Sequence, residues 1–254
     1  MFYLYIFATS MQMILLFNGN EIKLDSNRFY DLSIPIQKNT NVNCYHLESP
    51  AFSYYDSPEF CGSLDKGGSV NCEKMSFYAH SSGTHTECAL HVLKTSVNML
   101  NISLPLLIKA KLITVKPSEI GEDKVVNAAL FEGVLDNSEA KAILIRTIPN
   151  NSEKRTHNYS STNPPFIHID AISLFNQLGF EHLITDLPSI DKEQDGGLLA
   201  AHKLWFGDGT AHKTITELMY APDDIPDGDY FVSIQAPKIE TDAVPSKILL
   251  YPCF

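Results

Sequence analysis

Basic residues are scarce in this chain: 19 Lys and Arg stand against 30 Asp and Glu among 254 residues, a formal net charge of −11. The acidic residues are spread along the length, and no Lys/Arg cluster offers a phosphate patch. Nucleic acid and anionic membranes are therefore excluded as partners, because both demand clustered positive charge. Cysteine is sparse and poorly arranged. Cys44, Cys61, Cys72, Cys88 and Cys253 form an odd set without a CxxC pair, which argues against a disulfide framework or a zinc knuckle. Free thiols in a reducing, cytoplasmic setting are the expectation. Low-complexity tracts are missing too, and 44% hydrophobic with 19% charged residues is an ordinary globular composition. A small-molecule partner survives these exclusions.

A long apolar run is lacking as well. Met1 to Phe17 is rich in apolar residues, but Thr9, Ser10 and Gln12 interrupt it, and it falls short of the ~20 residues a spanning helix needs. No Lys or Arg precedes Lys23, so the basic start of a signal peptide is missing. Residues 1–10 read as an N-terminal extension and residues 11–254 as one domain. Met13 to Phe17, then Asn18-Gly19, then the alternating Glu21 to Asp25, predicts a β-hairpin on a type I′ turn.

Residues 39–68 carry turn formers and the aromatics Tyr45, Phe52, Tyr54, Tyr55 and Phe60 without clear periodicity. They read as a long loop, a common home of binding residues. Strands are expected over 70–78, 106–115, 142–147, 166–169, 182–186, 230–236 and 247–250, and helices over 92–100 and 125–135. A further helix is expected after Asp170 as its cap, with Ala171, Leu174, Phe175 and Leu178 on one face and Gly179 at its end. Apolar strands alternating with helices indicate parallel pairing covered on both faces. The class is α/β with mixed parallel and antiparallel sheets.

The informative stretch runs from His80 through Ser81-Ser82-Gly83-Thr84-His85-Thr86-Glu87-Cys88 to His91. On an extended segment His85 and Glu87 point to one side, because side chains alternate with a period of two. An imidazole beside a carboxylate suits zinc or manganese. His91 lies far enough along to turn a corner and face the same pocket, where hydrolysis needs a base beside a metal.

These residues resemble the cyclase family that includes bacterial kynurenine formamidases and isatin hydrolases, whose pattern is close to HxGTHxDxPxH. Gly83-Thr84-His85, Glu87 and His91 fall on that pattern. Asp186-Leu187-Pro188-Ser189-Ile190-Asp191 is similar to the family's D-x-P-S-x-D segment. His202 and Glu217 match its later His and Glu, and the stretch from Pro226 to Pro245 its C-terminal signature. The resemblance spans roughly Phe29 to Tyr251. It implies a three-layer β/β/α fold of the swivelling type, assembled as a homodimer or larger. It also implies a divalent zinc or manganese held by His85, Glu87, His202 and Glu217, with His91 as the general base in hydrolysis of a small formamide, cyclic amide or similar C–N bond. Two departures stand out: Glu87 replaces the family's aspartate, and Ser81 occupies the first histidine position, with the imidazole one place earlier at His80. On a regular strand His80 would point away. A bulge or turn at Ser81-Ser82-Gly83 would bring it round as a further ligand. Ser81 also keeps two alternatives open, a non-catalytic metabolite-binding descendant and a lyase or cyclase.

The remaining candidates read as structural. Cys88 is expected to be a buried thiol, Ser189 a turn residue, His212 an exposed loop residue, and His46, His157, His168 and His182 incidental. Asp186 and Asp191 either position the site or end a strand.

Overall fold

A computed structural model describes residues 12–17, 20–135 and 139–253. Nine strands form the main sheet: β1 (Tyr30–Asp31), β2 (His85–Glu87), β3 (Ile108–Val115), β4 (Ala142–Thr147), β5 (His182–Thr185), β6 (Thr214–Glu217), β7 (Gly228–Gln235), β8 (Ala243–Pro245) and β9 (Lys247–Pro252). Their spatial order is β8-β2-β6-β5-β4-β3-β7-β9-β1. The central β6, β5, β4 and β3 run parallel, and every pair outside them is antiparallel.

β4 reads Ala-Ile-Leu-Ile-Arg-Thr and is buried at all six positions, as a parallel strand covered on both faces must be. Its odd-numbered side chains, Ile143 and Ile145, join Ile113, Leu183 and Ile215 in a core with Phe175 and Trp205. Those two come from helices α2 (Ile169–Gln177) and α3 (Ala200–Phe206). Ala142 and Leu144 face the other way, into a second core with Leu112, Val232, Ile248 and Leu250. The sheet curls around this second core. The segment after β1 closes the seam: Leu32 N–H donates to the Ile248 carbonyl (2.9 Å), and the Leu32 carbonyl accepts from Tyr220 N–H (2.8 Å). Helices, central strands and returning strands thus make the expected three-layer α/β arrangement.

The expected hairpin pairs Gln12–Phe17 with Asn20–Asp25, Phe17 opposite Asn20. Its turn, Asn18-Gly19, and residues 1–10 lie outside the described residues. Residues 39–68 are less irregular than expected, since Ala51–Tyr54 pairs with Glu73–Ser76 and Asp56–Ser57 with Phe60–Cys61.

Two expected helices are absent. Over residues 92–100 the backbone turns repeatedly, because polar side chains take its N–H groups: Thr95 Oγ1 accepts from Val97 N and Asn98 Oδ1 from Leu100 N. Such local bonds compete with the helical ladder. Over 125–135 the β-branched Val125 and Val126 extend the strand Asp123–Val126, paired with Ser118–Ile120 and Phe166–Ile167, and a 3-10 turn follows at Ala128–Phe131. The cap of α2 is His168, not Asp170. Asp170 sits in the first turn and accepts from Ala128 N–H (3.1 Å).

Candidate metal centre

β2 lies between β6 and β8, and the register sets what meets what. His85 stands opposite Glu217 on β6, and Glu87 opposite Ala243 on β8. Opposed residues share a face, so His85 Nε2 comes within 3.4 Å of Glu217 Oε2. Thr86 points to the opposite face, with its hydroxyl 2.8 Å from that of Thr216. Before β2 the chain makes one helical turn, α1 (Ala79–Ser82). That turn carries the His80 imidazole into the site, with Nδ1 3.2 Å from Glu87 Oε2, while Ser81 is fully buried.

Gly83 and Thr84 fix this approach. A Cβ on Gly83 would lie 2.7 Å from the Ile34 carbonyl oxygen, closer than side-chain carbons come to backbone. The Thr84 hydroxyl accepts from Ile34 N–H (2.7 Å) and donates to the Leu218 carbonyl (2.5 Å). It ties the seam of the curl to the residue after Glu217.

α3 brings His202. Asp191, at the end of the 186–191 segment, accepts from Ala201 N–H, from His202 N–H and, at 2.6 Å, from His202 Nδ1. With Nδ1 committed, Nε2 faces the pocket 3.1 Å from Glu87 Oε1. His85 is held likewise: its Nδ1 lies 3.0 Å from the Gly83 carbonyl, leaving Nε2 directed inward. His91, on the 3-10 turn Ala89–His91, sits at the rim with Nδ1 3.1 Å from Asp242 Oδ2 and Nε2 3.8 Å from Glu87 Oε2. Asp242 Oδ2 also lies 2.9 Å from His80 Nε2.

Four buried atoms in this cluster approach neighbouring site groups as ion pairs but make no hydrogen bond of proper geometry: His85 Nε2, His202 Nε2 and both carboxylate oxygens of Glu87. Buried polar groups are otherwise nearly always paired, and imidazoles whose second nitrogen is already bonded are the usual form of histidine metal ligands. The donor set suits a borderline divalent ion.

The charges agree. Burial works against ionising Glu87, but His202 and His91 beside it hold its carboxyl well below the usual range. Burial likewise opposes a charged His202, yet Glu87, Asp191 and Glu217 raise its pKa well above the ordinary imidazole value. Burial also opposes charge on His80, but Asp242 and Glu87 raise it to about 10. The carboxylates thus call for positive charge, which protons or a cation can supply.

A cleft of roughly 300 Å³ opens onto the cluster, with Tyr45, Leu47 and Leu199 as apolar wall and Ser189 at its edge. Of the aromatics in residues 39–68, Tyr45 alone lines this cleft; its hydroxyl donates to the Pro188 carbonyl (2.7 Å). Two larger hollows, of about 770 and 380 Å³, lie elsewhere and contain none of the clustered His and Glu.

His85, Glu87, His202, Glu217, His80 and His91, all singled out in the sequence, therefore converge. Asp191 positions His202, whereas Asp186 bonds Thr147 and Lys154 away from the cluster. Asp242 is the site residue missed: it lies 151 residues from His91, inside a matching segment but with no spacing signal. Cys88 is buried, and burial pushes its thiol up to about 11, unlike an activated nucleophile. Ser189 Oγ accepts from Asp191 N–H within its turn. His182 bonds Thr214 and His46 bonds Ser161.

A family model described as "Putative cyclase" matches residues 30–192. That is more than half of the chain, and the chain belongs to this family. Kynurenine formamidases of Bacillus cereus and Bacillus mycoides are 24% and 25% identical to it, across 90% of this chain and 100% of theirs. Among solved structures, isatin hydrolase A from Ralstonia solanacearum superposes with a TM-score of 0.66 at 14% identity, covering 88% of this chain and 91% of that one.

Proposed function

We propose that the protein is a metal-dependent hydrolase of a C–N bond in a small formamide, cyclic amide or similar substrate. The observation that carries this is the convergence of His85 Nε2, His202 Nε2 and both Glu87 oxygens, buried within ion-pair distance of neighbouring site groups yet without a hydrogen bond. His85, Glu87, His202 and Glu217, with His80 beside them, would hold zinc or manganese. When bound, such an ion polarises a carbonyl and brings the pKa of water towards ~7. The amide-hydrolase class also rests on the kynurenine formamidase relatives. His80 stands beside Glu87 although Ser81 holds the family's first histidine position, which favours a working site over a non-catalytic descendant.

The chain's own residues then have distinct tasks. Asp191 fixes the ring of His202, and Glu217, steadied by Ile190 N–H (2.9 Å), closes the pocket floor. His91 has Nδ1 against Asp242, so Nε2 is free to take a proton from water and return it to the leaving nitrogen. Tyr45, Leu47 and Leu199 shield the substrate's apolar part. As in the family resemblance, we propose one domain over residues 11–254, acting in the cytoplasm as a homodimer or larger. Light scattering giving a monomer mass would exclude that assembly, and a membrane-pelleted native protein that location.

Metal content decides first. In protein purified without chelator, plasma mass spectrometry should find near-stoichiometric zinc or manganese in wild type and none in His85→Ala. A wild type that stays metal-free after incubation with both ions sinks the proposal. His91→Ala should keep its metal and lose formanilide hydrolysis by at least ~100-fold, the usual scale of a general base.

A further inference from the structure

Outside the buried ligands stands a second group with ligand spacing. His80, His91 and Asp242 each present one donor atom, all within 4.8 Å of one another, at the rim rather than the floor. Their side chains are 21%, 26% and 36% exposed, against 0% for Glu87 and 2% for His202. The His80 and His91 rings lie 4.1 Å apart, 31° from parallel. Both ring nitrogens that approach Asp242 meet the same oxygen, Oδ2, at 2.9 and 3.1 Å. Two imidazoles and a carboxylate, all partly exposed, form a ligand set that zinc and related ions accept.

This rim set depends on the one-place shift of the first imidazole. On the turn of α1, His80 presents Nδ1 to Glu87 and Nε2 to Asp242, so one ring faces both the buried set and the rim set.

We propose that His80, His91 and Asp242 form a second, weaker divalent-cation site whose occupancy shuts the enzyme down. The inference rests on the role proposed for His91. The chemistry is a matter of tautomer. A cation at Nδ1 of His91 displaces the proton that Nδ1 directs at Asp242, and the neutral ring then holds its one proton on Nε2 instead, with no net proton gained or lost by the ring. The nitrogen facing the pocket then carries a hydrogen and cannot accept one. An ion at the rim therefore disarms the base and takes His80 through Nε2, leaving that ring's one proton on Nδ1 towards Glu87, while His85, Glu87, His202 and Glu217 keep the buried ion. Partial exposure and one carboxylate make this site weaker than the buried one, so it fills only at higher metal concentration.

The test titrates chelator-stripped protein with zinc chloride, following stoichiometry by calorimetry and, in parallel, hydrolysis of formanilide. Wild type should bind one equivalent more than either Asp242→Asn or His91→Ala, while both variants keep the tight phase that His85→Ala loses. Wild-type hydrolysis should rise as the tight phase fills and fall at least tenfold as the extra equivalent binds. Equal stoichiometry in wild type and the two variants overturns the proposal, as does undiminished hydrolysis with the extra equivalent bound. If one variant fails to fold, as judged by its melting curve, the other carries the comparison. If formanilide and related amides are not hydrolysed even with the tight phase filled, the hydrolase reading fails. The inhibitory role falls with it, and the stoichiometry still decides whether the rim binds metal.

Discussion

At the scale of single residues, the buried pocket is organised by groups that never touch its centre. Asp191 is the clearest. Its three hydrogen bonds hold the first turn of α3 and the His202 ring in one orientation. Replacing such a partner commonly costs metal affinity 10–100-fold. Asp191→Ala should therefore weaken zinc binding by about that factor in a competition titration against a chelator, with stoichiometry unchanged. Equal affinity would reduce Asp191 to a helix cap. His85, Glu87 and His91 were legible from sequence because they sit on one short segment where the period of a strand says which side chains share a face. His80 was harder, because whether the chain makes a turn at Ser81-Ser82 is decided by the fit of Gly83 under the Ile34 carbonyl. Asp242 was illegible as a site residue. It meets His80 across 162 residues of chain, and nothing in its neighbourhood specifies that meeting.

At the scale of elements, strongly apolar strands and the one-faced helix α2 declared themselves, whereas segments rich in Thr and Asn did not. β4, β5 and β9 could be read from their composition because a strand buried on both faces has little choice of residue. A helix was expected over 92–100, but Thr95, Asn98 and Asn101 bind nearby backbone instead. The turn α1 and strand β2 depend on one close approach. Gly83→Ala would put a methyl group 2.7 Å from the Ile34 oxygen, and backbone on both sides must move to relieve it. A loss of about 1–3 kcal/mol is expected from such overpacking, read as a lower urea midpoint, together with reduced metal occupancy because His80 and His85 flank the strained residue. A variant of wild-type stability would mean that the seam at Ile34 yields easily.

At the scale of the whole molecule, pH acts through a group far from the chemistry. His182 opens β5, is 4% exposed and bonds Thr214 Oγ1 at 2.9 Å. Burial pushes its imidazole down to about 4. The unfolded chain takes up this proton near pH 6.5, so between these values the unfolded state holds more protons than the folded one. Stability is then full above about 6.5 and falls as pH drops towards 4. Raised imidazoles such as His80 and His202 act in the opposite sense, so the His182 contribution is read as a difference. Between pH 7 and pH 5 wild type should lose on the order of 2 kcal/mol more than His182→Gln, measured by urea unfolding of both metal-free proteins. An equal slope in the variant would assign the pH dependence to other groups.

The seam that closes the curled sheet also sets how an ion and the fold are linked. The ligand strands β2 and β6 meet across 130 residues, at Thr86 and Thr216, and Thr84 fastens both to Ile34. Residues 80–87 carry His80, His85 and Glu87, but His202 and Glu217 join them only in the folded sheet, so the unfolded chain offers an ion a partial donor set of lower affinity. An ion bound to the native form alone adds RT ln(1 + [L]/Kd) to its stability, about 4 kcal/mol when free ion exceeds Kd a thousandfold. Chelation should accordingly lower the melting temperature of the entire sheet as one transition, rather than loosening a loop. The ion would be a fastener for distant parts of the chain as much as a reagent.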